Sequence, residues 1–250
     1  MARLTHTAAL QIQHAVPASR FQTYLDQSSD VAHAAQLYLW NIQASSAVTE
    51  LTGTVEILLR DTIDKKLRIW NAEECGTEEW ISRPAVDTDL SHVVRKRPGP
   101  HQRPDRQTGL YRHWLEHSAV CNYAVPRPGS PASQSSTPPT HDDLVASLSF
   151  GSWTSLLPDP NAGESNQRLH LWNEALSAGF TNVRREAVYN YAHELRWMRN
   201  RASHLRPMLR TGDLVRTHRF AIRLLRSIDP DFAQIIAGQA AIPNVIQARP

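Results

Sequence analysis

A chain of 250 residues with 41% hydrophobic residues can bury a substantial core, which excludes a disordered chain as the starting assumption. Its two cysteines, Cys75 and Cys121, stand far apart and fit neither a disulfide framework nor a zinc-ligand spacing; a reducing, cytoplasmic setting with no metal and no cofactor is expected. The net charge of +3 conceals an asymmetry, because between Arg184 and Arg226 eleven arginines face only three carboxylates, Glu186, Glu194 and Asp213.

Residues 1–20 lack the continuous apolar region of a secretory signal, and no later stretch is apolar enough to span a bilayer, so no membrane association is expected. A short helix is predicted over residues 19–25 and another over residues 31–42. Leu51, Val55, Leu58, Leu59, Ile63 and Leu67 then step by three or four, the stripe of a long amphipathic helix starting near Ala44. Residues 95–108 are basic and proline-rich, and residues 126–140 hold Pro126, Pro128, Pro131, Pro138 and Pro139 among Ser, Gly and Thr. Such composition buries too little apolar surface to offset its ordering entropy, so flexible loops are expected over residues 95–141. Beyond them, Asp142 and Asp143 suit the cap of a helix through Leu144, Val145 and Leu148 that Gly151 ends or bends. Further helices are predicted over residues 167–178, 184–205 and 213–228. Strand alternation is scarce. The expected fold is all-α: one helical domain over residues 1–250 with an irregular Pro-rich insertion.

The segment Arg199-Asn200-Arg201-Ala202-Ser203-His204 stands at the end of a helix whose apolar side is Val188, Tyr191, Leu195, Met198 and Ala202. Pro207 disfavours helical geometry at Arg206, which puts His204 in or just past the last turn. Imidazole is the side chain best suited to proton transfer near neutral pH, and here the helix dipole and the arginines act on its charge in opposite directions. These residue types suit RNA cleavage by internal transesterification, with His204 as base or acid, Arg199 stabilising charge on the phosphoryl oxygens, and Asn200 orienting His204 or holding a phosphate. Because the substrate supplies the nucleophile, no metal is required. Five helical positions amount to about 500°, so Arg199 and His204 do not project side by side, whereas Asn200 and His204 do. A homodimer in which two motifs face one cleft is the favoured arrangement. From the six residues alone, the plainer reading stays ahead: a helix C-terminus whose Arg and His contact the last carbonyls.

Four segments in order resemble the Abi-like family, bacterial proteins linked to abortive phage infection and built on the HEPN helical domain. They are Leu37-Tyr38-Leu39-Trp40-Asn41; Val55-Glu56-Ile57-Leu58-Leu59-Arg60-Asp61 with Ile63; Leu144-Val145-Ala146-Ser147-Leu148-Ser149-Phe150-Gly151-Ser152-Trp153; and Leu195-Arg196-Trp197-Met198 leading into the Arg199 to His204 motif. Together they extend over most of residues 31–230. The resemblance implies a HEPN-like helical bundle, usually dimeric, with a composite ribonuclease site built from Arg199, Asn200 and His204 of both copies. It thereby reverses the order of the two readings above. The implied activity is that of a metal-independent endoribonuclease of phage-defence or toxin–antitoxin type, restrained by an antitoxin, protein or RNA. One departure is that a second histidine and a glutamate often follow the motif in the family, whereas here Leu205 and Arg206 precede Pro207.

Around this motif, RNA-backbone contact is expected from Arg196, Arg201 and Arg206 and from the stripe Arg216, Arg219, Arg223 and Arg226, which steps by three, four and three; a solvated face is the plainer alternative. Arginine forks onto phosphate as lysine does not, although a GC-rich genome also favours arginine over lysine. Glu56, Arg60 and Glu194 are candidate supporting residues; Glu56 and Arg60 also suit a structural ion pair at helical spacing. Trp40, Phe150 and Trp153 are expected core aromatics. Two functions of different class remain, the ribonuclease and a non-catalytic RNA- or partner-binding HEPN module. A DNA-directed regulator has no helix-turn-helix signature behind it.

Overall fold

The computed structural model describes residues 4–81 and 140–250, and the described residues form helices without strands. The all-α class is therefore the observed one. The basic, proline-rich stretch at residues 95–108 and all but the last residue of the stretch at 126–140 lie outside the described residues, as does Cys121.

In chain order the helices are α1 (His6–Ala15), α2 (Ala18–Leu25), α3 (Val31–Cys75), α4 (His141–Ser147), α5 (Phe150–Thr154) and α6 (Gln167–Glu174). A 3₁₀ turn at Leu176–Gly179 follows, then α7 (Arg185–Ser203), α8 (Thr211–Ile228), α9 (Pro230–Gln239) and α10 (Ile242–Gln247). Packing divides the chain into two compact units, Met1–Val55 with Tyr191–Pro250, and Glu56–Asn190. Helices α3 and α7 each contribute to both.

The two helices predicted over residues 31–42 and from Ala44 are one helix of 45 residues, roughly 67 Å long. The sequence pattern faded at Gln43 because small residues carry the stripe there: Ala44, Ser45, Ala47 and Val48 are all buried. Nor do the hydroxyls interrupt the helix, since Ser46, Thr49, Thr52 and Thr62 each donate to the carbonyl one turn back. Gly76, at φ +74°, ends the helix in the left-handed conformation that glycine tolerates best.

In the first unit, Ala9, Phe21, Tyr24, Ala34, Ala35 and Leu37 form a buried cluster. Trp40 is fully buried and its indole nitrogen donates to Val245 O at 2.7 Å, while Asn41 Oδ1 accepts from Met208 N at 2.7 Å. Helix α8 packs against α9 and α10. Asp229 caps α9 by accepting from Phe232 N, and Pro230 fits the first helical position because that position needs no N–H.

In the second unit, Leu59, Ile63, Leu67, Trp80, Phe150, Trp153, Leu171 and Leu176 make the core. Trp80 and Trp153 meet edge to face with centroids 6.0 Å apart, and Trp172 stacks on Phe180 at 5.3 Å. Gly179 lets its backbone approach α3 closely: a Cβ there would stand 2.7 Å from Thr62 Cγ2. Three boundaries differ from expectation. Thr140 rather than Asp142 caps α4, in a reciprocal capping box with Asp143, so the expected loop stops short of residue 141. Ser149 opens a new short helix through Gly151 instead of the preceding helix ending there. Helix α6 closes at Glu174, and the 3₁₀ turn takes up most of what remained of the predicted span.

Candidate functional site

Helix α7 carries the motif in its last turn, and its buried side in the first unit is Ala192, Leu195, Met198 and Ala202. The helix ends in a Schellman turn. Arg206 N donates to Arg201 O at 2.9 Å and Leu205 N to Ala202 O at 2.9 Å, with Leu205 left-handed at φ +47°. Glycine usually holds such a position; a β-carbon there costs about 1–2 kcal/mol. His204 N still donates to Asn200 O at 3.3 Å, so His204 continues the helical spiral one residue past the last α-helical position.

The carbonyls just past this end are held by two arginine side chains, one of them far away in sequence. The Arg20 guanidinium, on α2, donates to His204 O at 2.7 Å and to Leu205 O at 3.2 Å. Arg201 folds over the Trp197 ring, its Cζ 4.8 Å from the centroid, and donates to Pro207 O. The last-turn carbonyls of Asn200, Arg201 and Ala202 are taken by backbone N–H groups, and those just past the helix by Arg20 and Arg201, so the capping that the plainer reading gave to Arg199 and His204 is done without them. Arg199 is half-buried and its guanidinium donates to Asn200 Oδ1 at a long 3.5 Å, whereas Asn200 and His204 are exposed. Among the described residues no hydrogen bond or ion pair engages the His204 imidazole.

The surrounding arginines divide into two kinds. Arg219, Arg223 and Arg226 are exposed on the face of α8 opposite its buried Leu214, Thr217, Ala221, Leu224 and Leu225, with Arg219 also lying against Phe220. Arg206 is exposed at the turn, whereas Arg196, half-buried on α7, is engaged by a partner of its own. Arg216, by contrast, is committed to two carboxylates, Glu194 at 3.0 Å and Asp213 at 3.0 Å. Its charge is largely neutralised, and Glu194 serves to tie α7 to α8. Arg201 is committed likewise to its helix end. Glu56 and Arg60, one turn apart and half-buried on α3, belong to the second unit, whereas Arg199, Asn200 and His204 belong to the first.

A second polar cluster, in the second unit, escaped the sequence reading. Asp64 is nearly buried and accepts from Trp80 Nε1 at 2.7 Å, Arg68 Nε at 2.7 Å and His141 Nε2 at 2.9 Å. Since a carboxylate can only accept, His141 must present Nε2–H to it. Burial alone would raise the Asp64 pKa; the hydrogen bonds from His141, Trp80 and Arg68 outweigh it and hold the carboxyl below its usual range. Arg68 also pairs with Asp142 and lies 3.8 Å from Glu78. The i, i+4 spacing of Asp64 and Arg68 was a readable signal for part of this cluster. Its other members are distant in sequence.

Among the described residues no group of three or more His, Cys, Asp or Glu side chains is placed to hold a metal ion, and no helix is long and apolar enough to cross a membrane. No protein-family model, curated protein or solved structure matches the chain.

Proposed function

We propose that this chain is a metal-independent endoribonuclease of the Abi-like, HEPN type, acting in phage defence or as the toxin of a toxin–antitoxin pair, with Arg199, Asn200 and His204 as its catalytic group. The observation that carries the reading is the cap at the end of α7. Backbone N–H groups of the turn take the carbonyls of Asn200, Arg201 and Ala202, and Arg20 holds those of His204 and Leu205, so the side chains of Arg199, Asn200 and His204 are not needed there. Exposed Asn200 and His204, with half-buried Arg199 beside them at a well-defined helix end, are available for chemistry.

In the proposed reaction a base removes the proton from a ribose 2′-OH and the oxygen attacks the adjacent phosphorus. The bond to the 5′-oxygen breaks, and an acid protonates that leaving oxygen. The products are a 2′,3′-cyclic phosphate and a 5′-hydroxyl, and DNA resists because it lacks the 2′-OH. His204 acts as base or acid, Arg199 balances charge on the phosphoryl oxygens and Asn200, on the His204 face, orients the imidazole or holds a phosphate. A homodimer would supply the complementary acid or base from a second copy of the motif. The exposed arginines of α8, Arg219, Arg223 and Arg226, together with Arg206, would track the RNA backbone. An antitoxin, protein or RNA, would restrain the activity, in the cytoplasm.

The test is incubation of the purified protein with total RNA in EDTA, wild type beside His204→Ala. Cleavage to cyclic-phosphate ends that the variant loses is the expected result. If neither protein cuts RNA while both bind it, the second reading takes over, a non-catalytic RNA-binding module. The α8 arginine stripe favours that reading because it needs no chemistry at His204.

A further inference from the structure

We infer that the indole of Trp197 is a stacking platform for an unpaired RNA base beside the scissile phosphate, an inference that rests on the ribonuclease reading. A single exposed aromatic carries no message by itself. What carries this one is its company. Trp197, Asn200, Arg201 and His204 are spaced i, i+3, i+4 and i+7, which sets them within about 100° of one helix face.

On that face Trp197 keeps 46% of its surface in solvent even though the Arg201 guanidinium stands over its ring. Arg201 is held at its far side by the Pro207 carbonyl, so the ring is backed by a fixed cation and open surface remains for a second planar group. A ring ordered in advance loses little further freedom when a base stacks on it. Charge selects the occupant. Arg201 lies on this face and Arg206 is exposed at the turn just beyond it, and no carboxylate lies between Arg196 and Arg206 in the sequence. A ligand for this surface must be both flat and anionic, as a single strand of RNA is. Duplex RNA is a poor fit because its bases are already stacked. Stacking is sequence-tolerant, so the platform sets a requirement for unpaired RNA rather than for a particular base.

The experiment measures binding of a short, fluorescein-labelled, single-stranded 2′-O-methyl oligoadenylate, which lacks the 2′-OH nucleophile, by fluorescence anisotropy at fixed salt. Trp197→Ala is expected to weaken binding by about tenfold to a hundredfold, with Trp197→Phe retaining most of the affinity. Trp197→Leu keeps apolar bulk without a π face and is expected to behave as the alanine variant. A duplex of the same length should be indifferent to all three. Full affinity in Trp197→Ala or Trp197→Leu, with the wild type still cleaving ordinary RNA, removes the platform and leaves the ribonuclease reading standing. A wild type that neither binds nor cleaves RNA removes both. A change of mass in light scattering on replacing Trp197 makes it a contact between copies, which also overturns the platform.

Discussion

The end of α7 and the Asp64 cluster each gather a histidine, an arginine and polar partners, yet they differ in what is left unsatisfied. Around Asp64, side chains from α3, α4 and the segment after α3 spend their hydrogen bonds on one buried carboxylate. At the end of α7 the backbone is held by Arg20, Arg201 and the Schellman turn, and the imidazole of His204 stays exposed. A buried carboxylate with three donors holds a fold together. A helix end whose backbone is held while His204 faces solvent is what the proposed site requires. Residue type alone therefore does not separate the two roles; burial and satisfaction do.

The contrast breaks most visibly on substitution. His204→Ala is expected to lower RNA cleavage by about a hundredfold to ten-thousandfold, while shifting stability by no more than about 0.5 kcal/mol. Asp64→Ala is expected to do the reverse in kind, costing about 2–4 kcal/mol by leaving the buried Trp80 and His141 donors without their acceptor. Cleavage assays and denaturant melts of the two variants side by side test both halves, and a His204 variant that unfolds early would erase the distinction.

Acid should sharpen it. The Asp64 carboxyl is held below its ordinary range when folded, so the unfolded chain takes up the proton first as pH falls. Its stabilisation is complete above the unfolded value of about 4 and is lost as pH drops through the lower folded value. Melting temperature followed from pH 6 to pH 3 should therefore fall more steeply in wild type than in Asp64→Asn.

Smaller effects are expected at the α7 cap. Arg20→Ala removes two charge-assisted hydrogen bonds and should cost about 1–2 kcal/mol, with cleavage falling because His204 loses its anchor; Arg20→Lys should recover part of both. If Arg20→Ala leaves cleavage intact, the cap does not position the site. Leu205→Gly relieves a left-handed leucine and should raise thermal stability by about 0.5–1 kcal/mol. Its crystal structure or melt would show whether the strain stored at this turn is tied to function.

Much of the helical architecture was legible because it is written in local spacing. Of the stripe Leu51, Val55, Leu58, Leu59, Ile63 and Leu67, all but the half-buried Leu58 are buried on α3, and Trp40, Phe150 and Trp153 are buried as expected. The end of α7 was readable from Pro207. What local spacing missed has local causes too: Ala and Ser gave α3 a weak apolar signal near Gln43, and α1, α9 and α10 are short helices in which few apolar residues repeat. The Asp229-Pro230 step was a start signal for α9 that went unread.

By itself the sequence determined an all-α protein, with a basic segment at the end of one helix and an Arg-Asn-x-x-x-His pattern at its tip. Those properties depend on residues a few positions apart. Only the tertiary structure decided that Arg20, 184 positions before His204, caps that tip, and that His141 meets Asp64 across 77 positions. It likewise decided that Arg216 is spent on Glu194 while Arg219, Arg223 and Arg226 remain at the surface. The physical reason is that a side chain's role is set by which of its hydrogen bonds and charges are already satisfied, and partners far apart in sequence are brought to it only by the packing of the helices between.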